Sequence, residues 1–356
     1  MTTARTLMVT GGAGFIGANF AHYWMTTHPQ DTLIVYDALT YAGNRASLAA
    51  LESAHNFHFL HADICDRERV VGCLKTHAVD TIVHFAAESH VDRSISGPDD
   101  FIRTNILGTH TLLEAARQVW LTGDGRPHRF HHVSTDEVYG SLAAGDSAFR
   151  ESHRYAPNSP YSASKAASDH LVRASYHTYG LQVTTSNCSN NYGPYHFPEK
   201  LIPLCLTNIL RGRALPVYGD GSNIRDWLYV EDHCRGIDSV LDSGRIGEVY
   251  NIGGNNEWNN LDIVRLLCDA LDARFRADAQ LAQRFPDAPA ARGGTAHDLI
   301  TFVPDRAGHD WRYAIDAGKA ASELDFSPRE TFESGIARTI DWYLDNAAWW
   351  QPLLQA

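Results

Sequence analysis

The sequence predicts an α/β protein: a doubly wound parallel sheet with helices on both sides, followed by a smaller C-terminal α/β domain. Three observations carry the prediction. Short apolar runs alternate with longer helical patterns from residue 5 onward. A glycine-rich turn joins the first run to the first helical pattern, and past residue 187 the alternation gives way to stretches rich in Pro, Gly and Asn.

Taken in order, the apolar runs 7–9, 33–36, 57–60, 81–85, 130–133 and 183–186 are too short for helices and read as buried strands. Helical patterns lie between them near 15–27, 66–76, 98–118 and 162–179. This divides the chain into residues 1–186, a dinucleotide-binding half, and 187–356, mainly a substrate half. The runs Leu215–Tyr218 and Val249–Ile252 read as elements returning to the first sheet, and 276–297, rich in Ala, Arg, Asp and Pro, as a surface excursion.

Composition narrows the function. With 44% hydrophobic and 20% charged residues the 356-residue chain has an ordinary globular make-up, and the net charge of −12 argues against a general nucleic-acid binder. Six scattered cysteines without C-x-x-C spacing fit reduced thiols. No apolar run approaches the ~20 residues of a membrane span, and the N-terminus lacks the pattern of a signal peptide, so a cytoplasmic protein is expected. His128, His131 and His132 lack matched carboxylate or histidine partners in sequence and read as core or surface histidines, with no metal expected.

Gly11-Gly-Ala-Gly14-Phe-Ile-Gly17 follows the first strand and opens a helix. Glycines are needed where the chain turns tightly, where backbone approaches a pyrophosphate, and where helix packs on strand, and the helix N-terminus favours the negative charge. Asp37 closes the second strand 20 residues beyond Gly17, where a carboxylate would bind ribose hydroxyls and repel a 2′-phosphate. NAD is therefore the expected cofactor. Asp63 and Ile64 follow the third strand and could flank the adenine, although an Asp there also suits a helix cap.

Thr135-Asp136-Glu137 ends the fifth strand, upstream of Tyr161-Ser-Ala-Ser-Lys165. Tyr161 and Lys165 share a helix face, and an ammonium beside a phenol lowers its pKa, making Tyr161 a candidate base for a sugar hydroxyl. Asp136 and Glu137 then remain for a second role, removing a carbon-bound proton and protonating a departing hydroxyl. Oxidation followed by elimination is the chemistry suggested.

These motifs, with Phe85-Ala-Ala-Glu-Ser-His-Val-Asp-Arg-Ser94, Asn187-Cys-Ser-Asn-Asn-Tyr-Gly-Pro194, Asn223-Ile-Arg-Asp-Trp227 and Asp305-Arg-Ala-Gly-His309, resemble the extended short-chain dehydrogenase/reductase family, most closely its dTDP-glucose 4,6-dehydratase branch. The resemblance implies a Rossmann-like fold, tightly held NAD, dTDP-glucose as substrate and a homodimer packed through the helices near 98–118 and 162–179. It implies that Thr135, Asp136, Glu137, Tyr161 and Lys165 are catalytic. It places Gly11, Gly14, Phe15, Ile16, Gly17, Asp37, Ala38, Leu39, Thr40, Asp63, Ile64, Phe85, Ala86, Ala87, Glu88, Thr104, Tyr161, Lys165 and Asn191 at NAD. It places Ser89, Thr135, Asn190, Lys200, Leu201, Pro216, Val217, Tyr218, Arg225, Asn260, Asp305, Arg306, Ala307, Gly308 and His309 at the sugar nucleotide. Arg225 and Arg306 suit the diphosphate, since a guanidinium fork matches phosphate oxygens. Ala307 departs from the proline common at its position. The alternatives are a nucleotide-sugar 4-epimerase or decarboxylase, which would not need Asp136 and Glu137, and a non-enzymatic NAD-sensing protein.

Overall fold

The computed structural model describes residues 4–306 and 308–354, so Ala307 lies outside the described residues. Seven parallel strands form the main sheet: β1 (Thr6–Thr10), β2 (Thr32–Asp37), β3 (Phe57–His61), β4 (Thr81–His84), β5 (Arg129–Thr135), β6 (Val183–Cys188) and β10 (Val249–Ile252). Their spatial order is β10-β6-β5-β4-β1-β2-β3. The order reverses between β1 and β4, which opens a crevice at the carboxyl ends of the strands. All six expected strands are present, and Val249–Ile252 returns to this sheet beside β6.

The central strands are buried on both faces, and β5 and β6 bury polar side chains as well, among them His131, His132, Thr184, Ser186 and Asn187. Along β1, Met8 points into a core with Ile34, Ile82, Leu112 and Trp120. Leu7 and Val9 point the other way, against Phe20, Trp24 and Leu241. The alternation is the two-residue period of a strand. Helices Phe15–Thr27 and Val230–Ser243 cover that second face together.

The helical pattern expected near 98–118 extends further than its sequence suggests, from 99 to 124. It is α-helical over Thr109–Ala116 and wound as a π-helix on either side, at Ile102–Gly108 and Arg117–Asp124. The helix Pro160–Tyr179 begins with a capping box between Ser159 and Ser162, and Pro160 fits its first turn.

Two expectations are overturned. Leu215–Tyr218, as β8, does not return to the main sheet: it pairs in parallel with β12 (Ile300–Val303) in a separate two-stranded sheet. A short apolar run marks a strand but does not identify its partner. The stretch 276–297 is not a surface excursion, because Leu281, Phe285, Ala288 and Ala296 are buried in the core of the second lobe, and Phe285 stacks on Trp350. Four apolar side chains spaced among polar ones conceal a packing face.

The chain passes between the lobes repeatedly. After β7 (Asn190–Tyr192) and β9 (Ile224–Tyr229), helix Val230–Ser243 and β10 rejoin the first sheet. β11 (Glu257–Asn259) and helix Asn260–Ala277 then belong to the second lobe, helix Gly318–Leu324 packs back on β10, and helix Phe332–Asp345 leaves again. Trp349 near the end donates from Nε1 to Ser47 Oγ at 3.1 Å, tying the tail to the first lobe.

Candidate active site

A cleft of about 500 Å³ runs from the glycine turn, past the ends of β4 and β5, into the second lobe. The glycine turn is built for close approach. Gly11 holds φ +68, and a Cβ there would sit 2.6 Å from Ala86 N, while one on Gly17 would sit 2.3 Å from Gly11 O. Asp37, buried at the end of β2, accepts from Ala13 N (2.9 Å) and Leu39 N (2.7 Å). Burial raises its pKa and those two N–H groups oppose the rise. Glycines that admit no side chain, a helix start and a carboxylate at the second strand's end together fit a dinucleotide such as NAD.

The segment after β7 closes over this turn. Tyr195 takes a left-handed φ of +62, which swings His196 onto Phe15 with ring centroids 4.0 Å apart. Asn19 Nδ2 donates to Pro194 O at 2.8 Å, fastening the same segment to the first helix.

Thr135 ends β5 and caps the turn Asp136–Tyr139, its Oγ1 accepting from Glu137 N at 3.3 Å. Asp136 is 1% exposed, and its Oδ2 has no hydrogen-bond partner among the described residues. Burial, then Glu137 and Asp226 beside it, hold the Asp136 carboxyl well above the usual carboxylate range. Burial raises Glu137 too, but Arg225, Lys200 and Arg306 pull it back. Arg225 opposes the rise at Asp136 as well, but Glu137 faces two further cations, which favours a proton on Asp136 and a charge on Glu137.

Tyr161 lines the same cleft, 8% exposed, with its ring edge-on to Phe101. Here the lysine expectation is corrected. Lys165 Nζ donates to Val133 O at 2.8 Å, and burial, followed by Glu137 and Cys188, raises the Tyr161 phenol well above its ordinary value, with the Thr135 hydroxyl opposing. Desolvation outweighs the helical proximity of the ammonium.

Arg225 is 4% exposed and donates to the carbonyls of Ile224 (2.7 Å) and Asp310 (2.9 Å), with its guanidinium over Tyr313 at 4.3 Å. Its charge acts on both carboxyls of the Asp136–Glu137 pair. Arg306 reaches Asp92 at 3.4 Å, and its Nε has no partner among the described residues. Lys200 donates to Ser89 O at 3.0 Å.

Of the expected site residues, Leu39, Asp305 and Gly308 do not line the cleft, and Ala307 is not described; all the others line it. Leu39, at φ +50, serves Asp37 through its N–H, and Asp305 pairs with His309 Nδ1 at 2.6 Å. Asp63 lines the cleft and pairs with Arg103 at 3.2 Å, whereas the helix cap is Asp66. The sequence reading missed His196, Phe197, Glu199, Trp227 and Tyr313, which also line the cleft. The aromatic run directly after Pro194 was the available signal for two of them. Cys188 also faces the cleft, and all six cysteines are free. His131 and His132 are buried within β5, His131 held by the hydroxyls of Thr184 and Ser186.

Comparison with known proteins agrees with this geometry. A family model described as GDP-mannose 4,6 dehydratase matches residues 8–339. The dTDP-glucose 4,6-dehydratase of Neisseria meningitidis serogroup B is 52% identical over 355 residues, covering 98% of this chain and 96% of that protein. The crystal structure of DesIV, the dTDP-glucose 4,6-dehydratase of Streptomyces venezuelae, with NAD bound, is 46% identical. It superposes with a TM-score of 0.87 over 98% of this chain and 99% of its own. The Bacillus anthracis dTDP-glucose 4,6-dehydratase in complex with NAD is 45% identical, with a TM-score of 0.85, covering 98% and 100%. Sharing about half its residues with such relatives along nearly its entire length, the chain belongs to the dTDP-glucose 4,6-dehydratase family.

Proposed function

We propose that the protein converts dTDP-glucose to dTDP-4-keto-6-deoxyglucose and water, using bound NAD⁺. The observation that carries this reading is the Asp136–Glu137 pair, two buried carboxyls beside Tyr161 of which Glu137 faces the more cations. A simple dehydrogenase or epimerase has no use for such a pair.

NAD⁺, when bound, accepts hydride from carbon 4 and later gives it to carbon 6. Tyr161 takes the proton of the carbon 4 hydroxyl, with Thr135 hydrogen-bonded to that oxygen. The resulting ketone acidifies the hydrogen on carbon 5. Glu137 removes it while Asp136 protonates the carbon 6 hydroxyl, and water leaves. Glu137 then returns a proton to carbon 5 as carbon 6 is reduced. Lys165, which lines the same cleft as Tyr161, would help hold the cofactor there. Arg225, Arg306 and Lys200 supply the cations for a diphosphate.

We read residues 1–186 as the NAD-binding half and 187–356 as mainly substrate-binding, in a cytoplasmic homodimer. Among the described residues no helix is long and apolar enough to cross a membrane. Ile102 (49% exposed), Leu107 (54%) and Tyr179 (49%) leave apolar surface on the helices expected at the dimer contact, and sedimentation would measure the state directly. The reaction is tested by incubating the protein with dTDP-glucose in heavy water. One deuterium on carbon 5 of a product lighter by one water is expected, and unlabelled or undehydrated sugar would refute the reading.

A further inference from the structure

Behind Tyr161 and Lys165 lies a buried carboxyl, Asp169, that the reaction described above leaves without a role. Tyr161, Lys165 and Asp169 follow one another at four-residue steps on the helix Pro160–Tyr179, so they share one face. Lys165 is 4% exposed and Asp169 is 6%. β5 holds both ends of this pair. The Val133 carbonyl accepts from Lys165 Nζ, while the residues flanking it donate to Asp169: His132 Nε2 to Oδ1 and Ser134 Oγ to Oδ2, each at 2.9 Å.

An ammonium taken out of water keeps its proton only beside a compensating anion. The groups around Lys165 are Asp169, Cys188 and the imidazoles of His84 and His132. Burial holds both imidazoles well below their usual range, so they are neutral, and it holds the Cys188 thiol well above its own, so it is protonated. Around Asp169 stand Lys165, Ser134, Tyr155 and His170. His132 gives its Nε2 proton to Asp169, leaving an Nδ1 that has no partner among the described residues. Asp169 is the group able to carry negative charge next to Lys165.

Resting on the function proposed above, we propose that Asp169 is a positioning residue for the oxidation step: its carboxylate is the counter-charge of Lys165, aimed by His132 and Ser134. The ammonium is thereby kept charged and fixed at the floor of the cleft. Without it, burial alone acts on Lys165, which then loses its proton at lower pH.

The test follows formation of reduced nicotinamide by rapid mixing with dTDP-glucose, in the Glu137→Gln background, where the two elimination carboxyls play no part. Adding Asp169→Asn is expected to slow this step at least tenfold at pH 8, less at pH 6, and to move the alkaline limb of the rate toward acid by a unit or more. Asp169→Glu is expected to restore the limb. A limb that does not move, or an equal loss at every pH, would overturn the proposal. Should Asp169→Asn not fold, stability decides: Lys165→Met is expected to melt lower than Lys165→Met/Asp169→Asn, since the double variant leaves no lone buried charge. The opposite order would overturn the pairing. Absence of any nicotinamide reduction before Asp169 is altered would count against the proposed function, not against this inference.

Discussion

Glu137→Gln separates oxidation from elimination. The replacement keeps the shape of the side chain and the backbone bond from residue 137 to Thr135 Oγ1, so the capped turn stays in place. What it removes is the base for carbon 5 and one negative charge facing Arg225, Lys200 and Arg306. A positioned general base contributes about 10²- to 10⁴-fold, or ~3–5 kcal/mol of barrier. Elimination should therefore slow by at least that lower figure. Tyr161 is untouched, so reduced nicotinamide should form on mixing with dTDP-glucose and persist. Three cations relieved of a carboxylate should hold the anionic substrate as tightly as before, or a few-fold tighter. Absorbance of reduced nicotinamide, and mass analysis of the sugar, read both halves. Full turnover by the variant would refute the assignment of Glu137 and favour a 4-epimerase or decarboxylase.

Cofactor binding and pH dependence provide further checks. Gly17→Ala places a methyl 2.3 Å from Gly11 O; a loss of ~1–3 kcal/mol is expected from such overpacking, seen as a lower melting temperature and less NAD in the purified protein. Asp37→Ala removes the acceptor for Ala13 N and Leu39 N, and NAD should bind at least ~10-fold more weakly, the cost of unpaired donors being about 1–3 kcal/mol, with discrimination against NADP reduced in equilibrium titrations. For the complete reaction, Glu137 must be ionised and Asp136 protonated, and both carboxyls are raised. Activity should fall as pH drops through the raised Glu137 value, above the usual glutamate range, and fall again as pH rises through the higher Asp136 value. Asp136→Asn should abolish the alkaline limb along with most of the turnover, as measured by initial rates across pH.

Part of the first sheet was legible because a strand buried on both faces can read as an uninterrupted apolar run, as 33–36 does; 183–186 is as fully buried but carries Thr184, Thr185 and Ser186, and the returning Val249–Ile252 carries a buried Asn251. The glycine turn was legible because its spacing is dictated by backbone contact. Pairing was not, as Leu215–Tyr218 illustrates, because edge partners are chosen by the whole fold. Nor was the packing of 276–297, whose apolar residues are separated by turns that give no regular period. At the site, the motifs brought in nearly every expected side chain, since they sit at strand ends. Tyr313 arrives from a segment with no motif of its own, and Trp227 closes the motif that supplied Arg225. The direction of the Tyr161 shift was not legible, because spacing reveals proximity, whereas burial sets the sign.

The repeated passage of the backbone between the two lobes constrains how the molecule can move. A pair of lobes joined by one linker swings freely, but here any rotation would have to shear helix Val230–Ser243, β10 and helix Gly318–Leu324 from their neighbours together, and unseat Trp349 as well. Traffic into the cavity thus falls to the side chains that line it. A catalyst that borrows electrons from a sugar and must return them to that same sugar gains from such a frame, because neither lender nor borrower can wander off between the two transfers.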